Sequence, residues 1–181
     1  VHFYGAKFGI QLSPGIGRMN WIDPHTPPYS SSPIPNYYVP EMLCREIPTD
    51  GVKRLVKAMG ESAKLAQNAG VDMIELHAYG GYLIDQFTSA KWNHRTDEYG
   101  GSFENRTRLL RNGIQAAKAY ETDQFLVTAR IGIYDGFAYP YGFGVKEGEG
   151  IIPNLEEPIR LIRELHEDYQ MPMVNLTMGN P

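Results

Sequence analysis

Two side chains that can exchange protons with a ligand lie close together in the sequence. His77 closes an apolar segment, and Tyr82 follows in the next loop, beside Gly80 and Gly81. An imidazole at the end of a strand can donate a hydrogen bond to a ligand oxygen, and a nearby phenol can supply a proton. Histidine and tyrosine also serve as packing residues, so a structural role stays open for both.

Arg130 and Gln11 are polar side chains inside otherwise apolar segments. A guanidinium within a strand needs an anionic or hydrogen-bonding partner, because burial of an unpaired charge is costly. That partner is either an acid on a neighbouring strand, such as Glu75, or a bound ligand. Gln11, in the first apolar segment, is a candidate amide clamp for a ligand.

The other reactive side chains do not show the spacing of a metal or phosphate site. The remaining histidines are His2, His25, His94 and His166. They are scattered, which is typical of solvated or structural residues. The sequence GIGR at 15–18 is too short for a phosphate-binding loop. Cys44 has no local histidine partner, so a buried free thiol is favoured over a nucleophile.

The chain alternates short apolar runs with amphipathic stretches. We predict strands over about 7–12, 71–77, 125–131 and 173–176, and helices over about 50–69, 103–120 and 155–169. The predicted helix caps are Thr49 or Asp50, Ser102, and a capping box of Asn154 with Glu157. The stretch 13–48 holds most of the 13 prolines. We interpret it as a lid or capping excursion, since prolines prevent a regular element.

This alternation predicts parallel strands joined by helical crossovers, in a doubly wound sheet or a (β/α) barrel. Long loops follow the first three strands, whereas short turns precede the strands, and this asymmetry favours a barrel. A complete barrel needs about 250 residues. We therefore expect the 181 residues, which begin with Val1, to be a piece of a longer protein.

Composition excludes several classes of protein. The formal net charge is −4, which disfavours a nucleic-acid-binding protein. No apolar run approaches the roughly 18 residues of a membrane span. The single cysteine excludes a disulfide framework and an all-cysteine metal or iron–sulfur site within the segment. No signal peptide is visible, and we expect a cytoplasmic protein.

The region 75–110 is the most specific part of the sequence. It contains ELH at 75–77, GYL at 81–83, QF at 86–87, NHRTDEYGGS at 93–102 and ENR at 104–106. This series closely resembles the signature of the old yellow enzyme family of flavin-dependent ene reductases. Outside this region, GIQL at 9–12 with GR at 17–18 resembles the third-strand motif of that family. NLTMGNP at 175–181 resembles the sixth strand and its exit.

The resemblance implies that residues 1–181 are the central part of one FMN-binding TIM-barrel domain, about strands 3 to 6. It implies that Gln11 and Arg130 contact the flavin, with Arg130 near the atoms where negative charge accumulates on reduction. His77 would bind the activating carbonyl oxygen of the substrate, and Tyr82 would protonate the α-carbon. NAD(P)H would supply the electrons.

The sequences QLSPGIGR and YPYG most resemble one branch of the family, which contains 2,4-dienoyl-CoA, 2-enoate and bile-acid or steroid enone enzymes. In that branch a 4Fe-4S motif and an FAD module follow the barrel, outside this segment. Gly80 stands where the family usually has His or Asn, and Pro14 stands where it usually has His. Either Tyr79 or a residue outside this segment replaces the missing substrate contact, or a bulky substrate needs the space.

We therefore predict an FMN-dependent NAD(P)H oxidoreductase that reduces a C=C bond conjugated to a carbonyl. The partner is a small molecule such as an enone, enoate or enoyl-CoA, with no nucleic acid and no membrane, and an oligomeric assembly stays open. A desaturase of a keto-steroid or CoA-linked substrate, an amine dehydrogenase or demethylase and a non-catalytic barrel remnant are the alternatives. A metal- or Schiff-base-dependent lyase is disfavoured, because no strand-end lysine or ligand cluster is present.

Overall fold

The computed structural model describes residues 1–20, 23 and 25–179. Within these ranges the strands are β1 (Gly9–Leu12), β2 (Tyr29–Ser30), β3 (Arg45–Glu46), β4 (Met73–Ala78), β5 (Leu126–Gly132), β6 (Val145–Lys146), β7 (Ile152–Pro153) and β8 (Asn175–Thr177). The α-helices are α1 (Thr49–Asn68), α2 (Leu83–Thr88), α3 (Phe103–Arg106), α4 (Arg108–Lys118) and α5 (Glu156–Glu167). Short 3-10 helices cover His2–Tyr4 and Gly17–Met19.

The main sheet is parallel, and its strands follow one another in chain order as β1, β4, β5 and β8. Helix α1 lies between β1 and β4 in the chain, α2, α3 and α4 lie between β4 and β5, and α5 lies between β5 and β8. A doubly wound sheet reverses its strand order at a switch point, whereas a barrel wall keeps chain order. The four strands therefore have the order of one side of a (β/α) barrel.

The apolar core lies on one face of this sheet, beneath α1, α4 and α5. Its strand and helix members include Val52, Met59, Leu76, Leu109, Ile114, Ala129, Ile131, Leu161 and Leu165. Helices α1 and α4 approach closely at a glycine, since a Cβ on Gly60 would lie 3.0 Å from the carbonyl oxygen of Ala116. The opposite face carries Gln11, Glu75 and Arg130, which keep some exposure. The helices therefore cover one face of the sheet, and these polar side chains lie on the other.

The long proline-rich stretch is irregular, as predicted. In its described part it contains one 3-10 turn and the strands β2 and β3, which pair in parallel over two residues. The backbone N–H of Ile47 donates to the carbonyl oxygen of Ser30, and that of Cys44 donates to Ile34. The stretch therefore folds back on itself before it reaches α1.

Two predictions about helices were wrong. The segment after β4, predicted to be a glycine-rich loop, contains α2, whose six residues are all buried. A short helix buried on every side has no amphipathic period to recognise. The predicted helix 103–120 is two helices separated at Thr107, whose hydroxyl donates to the carbonyl oxygen of Phe103 at 2.8 Å.

The predicted caps have mixed outcomes. Ser102 caps α3 as predicted, because its Oγ accepts from the backbone N–H of Asn105 at 3.3 Å. Thr49 does not cap α1, since its hydroxyl donates to the Asp97 carboxylate at 2.6 Å. The capping box at α5 is absent, because Glu157 accepts two hydrogen bonds from Arg106 instead. Both failures have the same cause, a charged residue from another part of the chain. Asp97 binds the Thr49 hydroxyl, and Arg106 binds the Glu157 carboxylate.

Candidate active site

The polar side chains predicted to form the site share the uncovered face of the sheet. The register places Gln11 of β1 opposite Glu75 of β4. Two residues beyond Glu75, His77 of β4 lies opposite Arg130 of β5, and Arg130 lies opposite Asn175 of β8. Side chains two residues apart on a strand point to the same side. The sheet thus brings all five onto one surface.

The amide of Gln11 is bonded to the carboxylate of Glu75. Gln11 Nε2 donates to Glu75 Oε1 at 2.6 Å. The other carboxylate oxygen accepts from Asn175 Nδ2 at 3.2 Å. Glu75 therefore links side chains from β1 and β8, which are the two outer strands of the described sheet. Sequence reasoning considered this carboxylate only as a partner of Arg130.

Arg130 has no acidic partner in the described part of the chain, where no carboxylate forms a salt bridge with it. Its Nε is buried and has no hydrogen-bond acceptor there. The guanidinium carbon lies 5.1 Å from the centre of the Tyr79 ring. A cation over an aromatic face gains some electrostatic stabilisation, but the N–H donors stay unused. Glu75, one of the two candidate partners that the sequence offered for Arg130, is therefore not its partner in this structure.

His77 is buried at 6% exposure and lies beside Tyr82, with ring centroids 4.8 Å apart. Burial lowers the pKa of the His77 imidazole, the positive charge of Arg130 lowers it further, and Glu75 acts in the opposite direction. The ring is therefore neutral at pH 7, with one N–H donor. Within the described residues nothing hydrogen bonds to either ring nitrogen or to the Tyr82 hydroxyl, so both groups are available.

The two glycines between these rings form a left-handed turn. Gly80 has φ +74° and Gly81 has φ +72°. The backbone N–H of Gly81 donates to the carboxylate of Asp85 at 2.8 Å. Tyr82 then stands at the N-terminus of α2. A Cβ on Gly80 would meet nothing closer than the Tyr82 ring, at 3.9 Å. Position 80 therefore has room for a Cβ in contact with the Tyr82 ring, although its positive φ disfavours most side chains.

Tyr79 faces the exit of β8. Its hydroxyl donates to the carbonyl oxygen of Met178 at 3.2 Å. Its ring lies under Arg130, as described above. Asn180 and Pro181, which belong to the motif assigned to this exit, lie outside the described residues. The Tyr79 side chain is therefore bonded to the protein through its hydroxyl, and its ring packs against Arg130 and Gly132 of β5.

Gln86 is a buried residue of the site region that sequence reasoning left without a role. Its Oε1 accepts from the hydroxyl of Ser30 at 2.7 Å and from the backbone N–H of Arg18 at 3.3 Å. Its Nε2 donates to the carbonyl oxygen of Gly81. Gly17, with φ +58°, packs directly against this amide, where any Cβ would collide. One amide thus joins the loop after β1 to the turn that carries Tyr82.

Part of the NHRTDEYGG motif holds loops together. Arg95 is buried, and its Nη1 donates to the carbonyl oxygens of Ser31 at 3.0 Å and Ile47 at 2.7 Å. Its Nε and Nη2 donate to the Asp97 carboxylate at 2.9 and 2.6 Å. These bonds hold the pKa of Asp97 well below its usual range. The proline-rich stretch is therefore anchored by this guanidinium at two points.

The remaining candidates lie apart from this surface. Cys44 is buried, and burial raises the pKa of its thiol, so it is a poor nucleophile. Among the described residues, no three His, Cys, Asp or Glu side chains are grouped as metal ligands. In the same residues, no helix is long and apolar enough to cross a membrane.

Comparison with known proteins identifies the family. The model of the NADH:flavin oxidoreductase / NADH oxidase family matches residues 1–148. The chain belongs to this family. It is 46% identical over 136 residues to cinnamate reductase from Clostridium sporogenes, a match that covers 74% of the chain and 20% of that protein.

Solved structures share the fold of this chain. Histamine dehydrogenase from Rhizobium sp. 4-9 superposes with a TM-score of 0.77 at 27% identity, covering 98% of the chain and 24% of that protein. The old yellow enzyme homologue from Zymomonas mobilis superposes with a TM-score of 0.75 at 25% identity, covering 98% and 49%. The predicted partial TIM barrel of the old yellow enzyme type is confirmed. The chain spans less than half of the length of each of these relatives.

Proposed function

We propose that the protein is an FMN-dependent NAD(P)H oxidoreductase that reduces a C=C bond conjugated to a carbonyl group. The observation that carries the proposal is the available His77–Tyr82 pair on the same surface as an unpaired guanidinium. Family membership supports the flavin and the nicotinamide reductant. The likeness to cinnamate reductase supports an enoate or a related conjugated carbonyl compound as substrate.

The residues present fit a flavin. The buried Nε of Arg130 has no acceptor in the described residues, and the pyrimidine edge of an isoalloxazine offers carbonyl acceptors. Gln11 presents an amide on the same surface, and amides pair with an edge that alternates acceptors and donors. A fixed guanidinium also stabilises negative charge on a reduced flavin. We therefore assign Gln11 and Arg130 to FMN binding.

Bound FMN would supply hydride transfer, from NAD(P)H to the β-carbon of the alkene. His77 would donate its N–H to the carbonyl oxygen of the substrate and withdraw charge from the alkene. The lowered pKa keeps the imidazole neutral, so one nitrogen donates and the other does not. Tyr82 would deliver its phenolic proton to the α-carbon. Tyr79 would line the substrate space with its ring, since its hydroxyl is already bonded.

Residues 1–181 would be the central part of one FMN-binding barrel, about strands 3 to 6. The 4Fe-4S cluster and FAD module of the branch would then lie elsewhere in the full-length protein. The coverage of only 20% of the cinnamate reductase is consistent with a much longer polypeptide.

An oxidative reaction on an amine is the second candidate, favoured by the fold similarity to histamine dehydrogenase and by the missing side chain at Gly80. The phenol of Tyr82 argues for alkene reduction, because amine oxidation does not require a proton donor at carbon. A desaturase would use the same residues in the opposite direction.

The test is an anaerobic visible absorption spectrum of the full-length protein. We expect a flavin band that bleaches on addition of NADH or NADPH and returns on addition of cinnamate or a simple enone. Return of the band with oxygen but with no conjugated carbonyl compound would contradict alkene reduction. Bleaching by an amine alone would support the second candidate. Absence of a flavin band after reconstitution with FMN would leave a non-catalytic remnant.

A further inference from the structure

We propose that Glu75 is a positioning residue for the flavin site, which fixes the orientation of the Gln11 amide. The inference rests on the proposed function, because Gln11 is there assigned to the flavin. Glu75 itself would not touch the cofactor through this role. It would act by accepting one hydrogen bond and thereby determining which end of the amide faces the ligand.

The first step is the chemistry of the pair. An ionised carboxylate only accepts hydrogen bonds, whereas an amide has one accepting and one donating end. The 2.6 Å contact between Glu75 Oε1 and Gln11 therefore has to be made by the amide nitrogen. A flipped amide would place two acceptor oxygens against each other. The Oε1 of Gln11 is consequently directed away from Glu75.

The second step is the rigidity of the carboxylate. Glu75 lies on β4 between β1 and β5. Its second oxygen accepts from Asn175 Nδ2 at 3.2 Å, so both oxygens have donors from other strands. A carboxylate held at both oxygens has few rotamers left, and it can hold its partner in turn. Gln11 is exposed and has no other side-chain hydrogen bond in the described residues. Glu75 is therefore what orders it.

The third step is what the ordered amide offers. With one N–H used by Glu75, Gln11 keeps one oxygen acceptor and one N–H donor for a ligand. A flavin pyrimidine edge carries an N–H flanked by carbonyl oxygens, which matches one acceptor beside one donor. Because the side chain is already ordered, FMN binding loses little conformational entropy there, which is the advantage of preorganisation.

The experiment is a double-mutant cycle on FMN binding by the full-length protein, stripped of flavin and titrated with FMN. The variants are Glu75→Gln, Gln11→Leu and the double variant. Because hydrogen bonds to charged groups are worth roughly 1.5–3 kcal/mol, we expect Glu75→Gln to weaken FMN binding by about tenfold or more. In the Gln11→Leu background the same change should have little effect. The flavin absorption maximum should shift with the same pattern.

A merely structural role of Glu75 would weaken binding equally in both backgrounds, and that result would overturn the inference. No change in either background would overturn it as well. If Glu75→Gln is not recovered folded, Glu75→Asp keeps the charge and shortens the reach, with the same expected cycle. Failure of the unsubstituted protein to bind FMN would refute the proposed function itself, which is a different result.

Discussion

The rings of His77 and Tyr82 lie 4.8 Å apart at an interplanar angle of 57°, although one belongs to a strand and the other to the start of a helix. Only residues 79–82 separate β4 from α2, and the positive φ of Gly80 and Gly81 turns the chain sharply between them. A hydrogen-bond donor and a proton donor are thereby presented side by side. In the proposed reaction, the reacting carbons of the substrate would lie beside this pair.

Replacement of Tyr82 by Phe should slow alkene reduction by about 100-fold or more, because general acid catalysis typically contributes that much. Reduction of the flavin by NAD(P)H should change little, since it needs no proton from the phenol. Stopped-flow absorbance separates the two half-reactions. Tyr29→Phe is the matched control, because that tyrosine is exposed and lies against Arg45. Equal slowing of both half-reactions would remove Tyr82 from the role of proton donor.

Introduction of Asn at position 80 should add a second donor beside His77. Gly80 has φ +74°, a conformation that Asn tolerates better than other side chains, and there is room for a Cβ. We expect the KM for a small enone to fall by about threefold to tenfold, the worth of one modest hydrogen bond. Gly80→Ala, which adds only the Cβ, should instead cost about 1 kcal/mol of stability without improving KM. Similar kinetics for both variants would contradict the expectation.

The charge of Arg95 should be essential for stability. Arg95→Met leaves two carbonyl oxygens without their donor. It also removes the guanidinium from Asp97, which keeps the hydrogen bonds from Thr49 and Tyr99. We expect a loss of about 3 kcal/mol in the free energy of unfolding, measured with urea. The control is Arg54→Met, since Arg54 and its partner Asp50 are 69% and 70% exposed. That change should cost less than about 0.5 kcal/mol. Equal losses for the two variants would contradict the assigned anchoring role.

Asp85 should make the stability depend on pH near neutrality. Burial raises the pKa of its carboxyl to about 7, against a partial opposing effect of the Gly81 N–H, and the charge of Asp135 raises it further. A raised pKa means that the folded state holds the proton more tightly than the unfolded state. The stability from this group is therefore full below the ordinary pKa of 3.8 and is lost as pH rises through about 7.

Asp85→Asn removes this titration while keeping an oxygen that can accept from Gly81. We expect its free energy of unfolding to fall less than that of the unsubstituted protein between about pH 5 and pH 8. Urea unfolding at a series of pH values measures the difference. Asp123→Asn, at an exposed position, should give a profile parallel to that of the unsubstituted protein. A parallel profile for Asp85→Asn would refute the assignment.

The strands and long helices could be predicted because their periodicity is local. In β4 and β5 the buried residues Leu76, Ala129 and Ile131 alternate with polar residues or lie within an apolar run. In helix α1 the residues that face the core recur at intervals of three or four. The failure of Thr49 and Glu157 to cap their helices could not be predicted. Thr49 bonds to Asp97 and Glu157 bonds to Arg106, and both partners come from elsewhere in the fold. Local capping rules apply only when no charged group competes.

The sequence indicated which residues could form the site, but not which of their side chains are hydrogen bonded to each other. Gln11, His77 and Arg130 stand out in apolar segments, so their chemistry was visible in the sequence. Their bonds were not visible, since Glu75 was considered only as one alternative partner of Arg130 and instead joins Gln11. Register between strands decides such a choice, and register is set by packing over the whole sheet. Gln86 was visible only as part of the QF motif, and its bonds to Ser30, Arg18 and Gly81 could not be read from that motif.

The amide of Gln86 has a consequence for how such proteins diversify. It is bonded at one end to Ser30 and Arg18 and at the other to Gly81, so the loop after β1 and the turn that bears Tyr82 share one anchor. A loop transplanted from a relative would fit only if its own residues met this amide, with a glycine where Gly17 now stands. Replacement of one loop alone would therefore leave part of this amide without its partners, and the two loops would have to be exchanged together.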